Sequence, residues 1–235
     1  MEKNYAEYLL VKTRSDYNQI AREFSNSRAF IWEELIPLAK HVQAGDKILD
    51  LGCGNGRLFS MLKEKKVEYL GVDSSERIIE IARGKYGTEG AKFLVVEALD
   101  LPFPENSFQE IFSIAVLHHI PSEDFRLKFL NEIKRVLKPK GLLVLTVWNL
   151  RKNYLLLLKY TILKIIGKSE LDSGDVLYPW RDSGGNIVLQ RYIHCFKKRE
   201  LEKLIEKTGF KVKEMGFLAR GRHKKANIYL VAEKI

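Results

Sequence analysis

The chain has 235 residues, 46% of them hydrophobic and 30% charged, enough to bury a full core without covalent staples. Its two cysteines, Cys53 and Cys195, lie far apart and form no ligand-spaced cluster, which argues against a disulfide framework and a structural zinc site. The net charge of +10 is lopsided: Met1 to Trp180 holds 26 basic against 24 acidic residues, and Arg181 to Ile235 holds 14 against 6, so the last quarter is either a solvated basic face or a surface for a polyanion, nucleic acid ahead of acidic membrane.

In chain order, "MEKNYAEYLLVKTRSDYNQIA" is charged throughout and lacks the apolar core of a secretory signal, so a reducing, cytoplasmic location is expected. Residues 1–45 are expected to form a helical cap. From there to Trp148, short apolar runs alternate with helical patterns. "KILDLG", "YLGVD", "KFLVVEA", "EIFSIAVL" and "LLVLTVW" are nearly continuous in apolar residues, as strands covered on both faces are. Arg57 to Lys65, Glu76 to Tyr86 and Ser122 to Leu137 carry apolar residues at helical spacing, including Phe125, Phe129 and Ile133. This βαβ series predicts a largely parallel sheet with right-handed crossovers. "KPKG" (Lys138 to Gly141) is read as the end of the third of these helices.

Beyond Trp148, Asn149 to Gly167 reads as a helix and Lys168 to Gln190 as a polar loop with "DSG" and "DSGG" signals. The apolar run "YLLLLKYTILKIIG" is too short and too interrupted by lysine to span a membrane, so stable membrane insertion is not expected. "RYIHCF" follows as a short extended segment, "KKRELEKLIEKTG" as a helix closed by Gly209, and "FKVKEMGFL" and "NIYLVAE" as an antiparallel edge hairpin with "ARGRHKKA" at its tip.

In "DLGCGNG", Asp50 ends the first strand and Gly52, Gly54 and Gly56 turn the chain into a helix, so a ligand can lie against bare backbone. Such a turn also serves dinucleotide enzymes. Asp73, at the end of the second strand, can accept both hydroxyls of a ribose or cap the helix that follows.

With "ILDLGCGNG", "YLGVDSS", "VVEALDLPFPENSF", "SIAVLHHI" and "EIKRVLKPKGLLVLTVW" in order, the stretch from about Asp46 to Trp148 resembles the Rossmann-like S-adenosylmethionine-dependent methyltransferases. That resemblance implies one α/β domain over residues 1–235 with a mostly parallel seven-stranded sheet and helices on both faces: cofactor core 46–148, helix and substrate-side insertion 149–190, and a basic part, 191–235, that completes the sheet. It implies that Asp50, Gly52 and Gly54 hold the methionine moiety, Asp73 the ribose, and Ala98 and Leu99 the adenine. Glu97 stands where the family commonly has Asp, and Asn55, Ser74 and Ala115 complete the expected cofactor site.

A narrower likeness is carried by "YNQIAREFSNSR", "SIAVLHHI", "LTVWN", "GDVLYPW" and "RYIHCFKKRELEKL". Together these resemble the tRNA methyltransferases that esterify 5-carboxymethyluridine at the wobble position, which implies tRNA as a partner and a small zinc-binding activator subunit covering an apolar patch on the sheet edge. A carboxymethyl group, with a pKa of about 4, is already ionised, so it needs no general base. Arg28, Arg181, Arg191 and His194 are candidates to hold that carboxylate, arginine first because its planar fork matches it. Of the adjacent His118 and His119, which should point to opposite faces and not chelate a metal, His118 is expected to face the pocket. Tyr178, Trp180 and Tyr192 are candidates to stack on an unpaired base. The alternatives are a methyltransferase for a small molecule or lipid quinone, fed by the apolar helix at a membrane interface, and a non-catalytic cofactor binder, which the intact loop, Asp50 and Asp73 disfavour.

Overall fold

The computed structural model describes residues 1–28, 30–182, 184–220 and 223–235. Nine strands occur among them: β1 Lys47–Leu51, β2 Glu68–Asp73, β3 Lys92–Val95, β4 Phe108–Ile114, β5 Leu137–Trp148, β6 Asp175–Arg181, β7 Ile187–His194, β8 Phe210–Arg220 and β9 His223–Lys234. Seven of these form one sheet in the order β3-β2-β1-β4-β5-β9-β8. β1 to β5 run parallel, β9 pairs antiparallel with β5, and β8 with β9. The parallel sheet and the terminal antiparallel hairpin are as the sequence predicts. The tip placed within "ARGRHKKA" falls partly at 221–222, outside the described residues.

Residues along each central strand alternate between two cores, because successive side chains of a strand point to opposite faces. Leu49, Leu51, Ile111, Leu143 and Leu145 pack with Phe129, Leu130 and Ile133 of helix α5 (Glu123–Val136) and Leu201, Leu204 and Ile205 of α7 (Lys198–Lys207). Ile48, Phe112 and Val144 pack the other way, against Phe59 and Leu62 of α3 (Phe59–Leu62) and Ile79 and Ala82 of α4 (Glu76–Tyr86). Burial on both faces explains the nearly unbroken apolar runs. Helix α4 starts where Ser75 Oγ accepts from the Ile78 amide (3.3 Å), and α5 where Ser122 Oγ accepts from that of Phe125 (3.3 Å). Each cap satisfies one amide that the first helical turn leaves open.

Four expectations for local structure are corrected. The helix expected over Arg57 to Lys65 is only α3 followed by a 3-10 turn, Lys63–Lys65. Helix α5 stops at Val136, and "KPKG" is the irregular start of β5: the register slips between Phe108↔Leu137 and Glu110↔Leu142. Gly141 is required there, since a Cβ would come within 2.8 Å of the Gln109 and Lys138 carbonyl oxygens. The presumed loop 168–190 holds β6 and half of β7, which pair antiparallel as a separate two-stranded sheet. The helix expected from Asn149 begins at Tyr154, as α6 (Tyr154–Ile165), and lies against that hairpin through Leu156, Leu157 and Tyr160. No helix among the described residues is long and apolar enough to cross a membrane. At the N-terminus, α1 (Lys3–Gln19) and α2 (Ala21–Asn26) lie over the C-terminal ends of the parallel strands.

Candidate active site

A deep cavity lies at those strand ends, where open α/β sheets take their ligands. All ten residues expected to hold a cofactor line it: Asp50, Gly52, Gly54, Asn55, Asp73, Ser74, Glu97, Ala98, Leu99 and Ala115. The floor is a chain of backbone bonds. The Gly52 and Cys53 amides donate to the Val72 carbonyl (2.8 and 2.9 Å), which holds the glycine loop against β2. Gly52 sits at φ +76, and a Cβ there would collide with the Val116 side chain, so the approach of loop and wall requires glycine. Ala115, closing β4, adopts φ +62, a left-handed conformation that costs an L-residue roughly 1–2 kcal/mol. Its amide is held by the Thr146 carbonyl and Oγ1, both at 3.0 Å.

Two carboxylates dominate the electrostatics. Asp73 accepts from the Gly54 amide (3.1 Å) on one oxygen and the Ser75 amide (2.9 Å) on the other, which leaves lone pairs on both for hydroxyl donors. The helix-cap alternative therefore belongs to Ser75, whose hydroxyl does the capping. Asp50 is buried and accepts from the Tyr69 hydroxyl at 2.6 Å. Burial pushes its carboxyl up to about 7, with the nearby Asp73 charge adding and the Tyr69 hydrogen bond opposing. An acidic pair beside glycine amides and a small apolar slot of Ala98 and Leu99 fits a ligand with a cationic head, a diol and a flat ring. Glu97 lies on the rim, paired to Arg14 of α1 at 2.6 Å. The Asn55 amide donates to Ser25 O (3.3 Å), Ser25 Oγ (3.2 Å) and Arg28 O (3.1 Å). Its side chain thus ties the glycine loop to the N-terminal helices, a tertiary role the sequence did not disclose.

A second, more open cleft is lined by Arg28, Tyr178, Pro179, Trp180, Arg181 and Arg191. Arg28 also lines the first cavity, so the two spaces adjoin at its side chain. Arg191 is 3% exposed, its guanidinium carbon 5.0 Å from the Trp148 ring centre and 4.8 Å from that of Trp180. Its Nε and Nη1 have no hydrogen-bond acceptor among the described residues. The Arg28 guanidinium carbon lies 4.5 Å from the Phe24 ring and 5.1 Å from that of Trp180. Arg181 is exposed and donates to the Gly185 carbonyl (2.7 Å). Trp180 is buried beneath both Arg28 and Arg191, and its Nε1 donates to Glu23 (3.4 Å); Tyr178 stands half-buried, edge-on to Trp148.

Three expected site residues lie elsewhere. His118, expected to face the pocket, is fully buried behind Trp148, whose amide donates to its Nδ1 at 3.4 Å. His119 lines the cavity instead. The two rings stand 4.4 Å apart because they sit in a 3-10 turn, Leu117–His119, and not in an extended segment. His119 Nδ1 faces the Tyr192 carbonyl (2.9 Å), so it carries the proton, and Nε2 accepts from the Tyr17 hydroxyl (2.9 Å). Burial lowers both imidazoles, that of His119 to about 3, so both are neutral at physiological pH. Tyr192 and His194 alternate with Arg191 along β7 and point away from the cleft. Tyr192 is buried with its hydroxyl on Arg126 (3.3 Å), and is no stacking platform. His194 is locked between Asp175 (2.6 Å) and Glu200 (2.7 Å). Burial pulls its pKa down, but the two carboxylates outweigh that and leave it raised. Among the described residues no group of His, Cys, Asp and Glu is arranged to hold a metal.

Sequence reasoning missed Tyr17, Phe24, Trp148 and His119 as cavity walls. Tyr17 and Phe24 lie in the quoted "YNQIAREFSNSR" and Trp148 in "LTVWN", so the signal was present without a geometry to read it.

Residues 49–145 match the family model described as a methyltransferase domain. The chain is 29% identical over 236 residues to the tRNA (carboxymethyluridine(34)-5-O)-methyltransferase of Schizosaccharomyces pombe, covering 93% of this chain and 94% of that protein. It is 36% identical over 132 residues to the Arabidopsis thaliana protein of the same name, covering 56% of this chain but only 31% of that longer relative. Among solved structures, a SAM-dependent methyltransferase from Methanosarcina mazei superposes with a TM-score of 0.71 at 25% identity, over 88% of this chain and 99% of that one. A Haloferax volcanii methyltransferase, solved in complex with the Trm112 methyltransferase activator, shares the fold at a TM-score of 0.67 and 19% identity, over 94% of this chain and 96% of that one.

Proposed function

We propose that the chain, with its methyltransferase-domain match and Rossmann-like methyltransferase fold, uses S-adenosylmethionine to methylate the carboxylate of 5-carboxymethyluridine at the wobble position of tRNA. One observation carries the choice of acceptor: Arg191, a buried guanidinium with Nε and Nη1 lacking acceptors, lines a cleft that adjoins the cofactor cavity at Arg28. A buried cation of that kind is costly until a carboxylate arrives. The whole-length likeness to the Schizosaccharomyces pombe enzyme supports the same acceptor.

When bound, S-adenosylmethionine supplies an electrophilic methyl group on a sulfonium. The rest falls to the protein. Asp50 and the glycine loop hold the cationic amino acid end, Asp73 the ribose hydroxyls, and Ala98 and Leu99 the base. Arg28 and Arg191 take one acceptor oxygen and leave the other to attack. Trp148 and Phe24 wall the junction and keep out water, which strengthens those contacts. His119, neutral and donating to the Tyr192 carbonyl, fixes the Tyr17 hydroxyl on the wall. No proton has to be removed from an acceptor whose pKa is about 4, so alignment is the main task. The basic quarter from Arg181 onward, with 14 basic against 6 acidic residues, meets the tRNA phosphates.

The edge strand β3 carries Leu94 and Val95 at 42% and 43% exposure. That apolar edge is where a small zinc-binding activator would sit; the complexed Haloferax volcanii neighbour supports such a partner. The deciding experiment supplies labelled S-adenosylmethionine and total tRNA from a strain lacking the wobble ester, with and without an activator. Alkali-labile label on an anticodon uridine is expected. Cofactor binding without tRNA labelling in either condition would refute the acceptor.

A further inference from the structure

Helix α6 has no fully buried residue. Leu156, Leu157 and Tyr160 rest on the β6–β7 hairpin, whereas Leu155, Leu158, Ile162, Ile165 and Ile166 form an outward stripe at helical spacing, with Leu155 at 67% and Ile165 at 77% exposure. The methyl transfer described above uses none of them. Charge on the helix and its flanks is mostly positive: Asn149 to Ser169 contains Arg151, Lys152, Lys159, Lys164 and Lys168 and no acidic residue, with Lys164 paired to Asp172 at 3.4 Å. Next to the helix, a polar cavity is lined by Arg151, Thr161, Ser173, Lys197 and Glu200. Thr161 falls on the same helical row as Leu158, Ile162 and Ile165, so cationic niche and apolar stripe adjoin.

These features discriminate among occupants. A second copy docked through α6 would set the basic residues of one copy against those of the other. An RNA strand would find positive charge but leave the aliphatic stripe in water. An anionic bilayer satisfies both: aliphatic side chains enter the headgroup boundary while lysine stems run alongside and their ammonium groups stay with the phosphates. We propose that α6 is a reversible docking surface for an anionic lipid membrane, the stripe Leu155 to Ile166 entering the interface and Arg151 and Lys197 meeting lipid phosphates. A 12-residue helix cannot span, so attachment is peripheral and salt-sensitive.

The test is sedimentation of the full chain with extruded vesicles of phosphatidylcholine alone or with about one-third phosphatidylglycerol. The protein is expected to pellet with the anionic vesicles only, and Leu158→Ser/Ile162→Ser, which keeps the net charge, to lower that partition about tenfold. Cofactor binding and tRNA methylation should be unchanged in the variant, which also reports that it folds. Leu155→Ser/Ile165→Ser, at the two most exposed positions, serves if the first variant does not fold. Failure of the wild type to pellet overturns the proposal. Equal pelleting of variant and wild type would also overturn it, because bulk positive charge would then suffice. A dimer lost in the variant, with no vesicle binding, would assign the stripe to a second copy.

Discussion

Replacing Arg191 with methionine should make the protein more stable and less active at once. The guanidinium is buried, with Nε and Nη1 lacking acceptors, and the cost of burying an ion is several kcal/mol. Contacts with the Trp148 and Trp180 rings at 5.0 and 4.8 Å return about 0.5–2 kcal/mol each. Asp16, whose carboxyl feels the Arg191 charge, keeps its partner Lys12 at 2.6 Å, so the substitution strands no anion. The balance left for an apolar side chain of similar volume is roughly 1 kcal/mol in favour of the variant, a Tm rise of about 2–4 °C for a chain of this size. The acceptor carboxylate meanwhile loses charge-assisted bonds worth about 1.5–3 kcal/mol, or roughly 10- to 150-fold in kcat/KM. Differential scanning calorimetry, isothermal titration with S-adenosylmethionine, and initial rates on carboxymethyluridine tRNA read the three quantities. Cofactor affinity should not move, since Arg191 does not line the cofactor cavity. A lower Tm with wild-type kcat/KM would mean that Arg191 is an ordinary structural cation, and the reasoning would fail.

Because Asp50 titrates at about 7 in the free site and its charged form is the one a cationic ligand favours, S-adenosylmethionine affinity should be flat above about pH 8. It should weaken by up to about tenfold per unit below 7; Asp50→Asn should abolish that limb, and a wild-type affinity independent of pH from 6 to 8 would count against the placement. For His194 the folded pKa lies above its ordinary value of 6.5, so the native state holds the extra proton. Its stabilisation is complete below about pH 6.5 and drains as pH rises through the folded pKa, by at most about 1.4 kcal/mol per unit. Urea midpoints should therefore fall between pH 6 and 9 in the wild type and less steeply in His194→Gln; identical slopes would discard the ion cluster as the cause. Asn55→Ala removes donors to the Ser25 and Arg28 carbonyls, each bond worth about 0.5–1.5 kcal/mol. Limited proteolysis should then cut faster within residues 1–28, and an unchanged cleavage rate would show the tie to be dispensable.

What the sequence made legible was local. Each cofactor residue sits at the carboxyl end of a strand or in the turn after it; strand pattern pointed to Asp50, the glycine turn and Asp73, the family resemblance implied the rest, and all ten residues line one cavity. Acceptor-side residues come instead from α2 and its following turn, the turn after β4, the end of β5, β6 and β7, and no periodicity reports that convergence. The β6–β7 hairpin is hard to read from sequence because "DVLYPWR" carries a proline, a residue that demotes a strand on pattern alone. The extended-chain geometry that sends His118 and His119 to opposite faces is replaced by the 3-10 turn at Leu117–His119, with His118 buried and His119 on the cavity. Arg191, Tyr192 and His194 were grouped by proximity in sequence, although two-residue periodicity sends Arg191 one way and the others the opposite way.

The β6–β7 hairpin shares no strand with the main sheet, and this divides the enzyme into parts that can be altered separately. Tyr178, Trp180, Arg181 and Arg191 ride on the small sheet, whereas Asp50 and Asp73 belong to the large one. A library randomised on the cleft-facing positions of residues 175–191 would therefore sample acceptor preference against a constant cofactor site. Transplanting the hairpin with α6 between relatives would be the direct way to move selectivity from one methyltransferase to another.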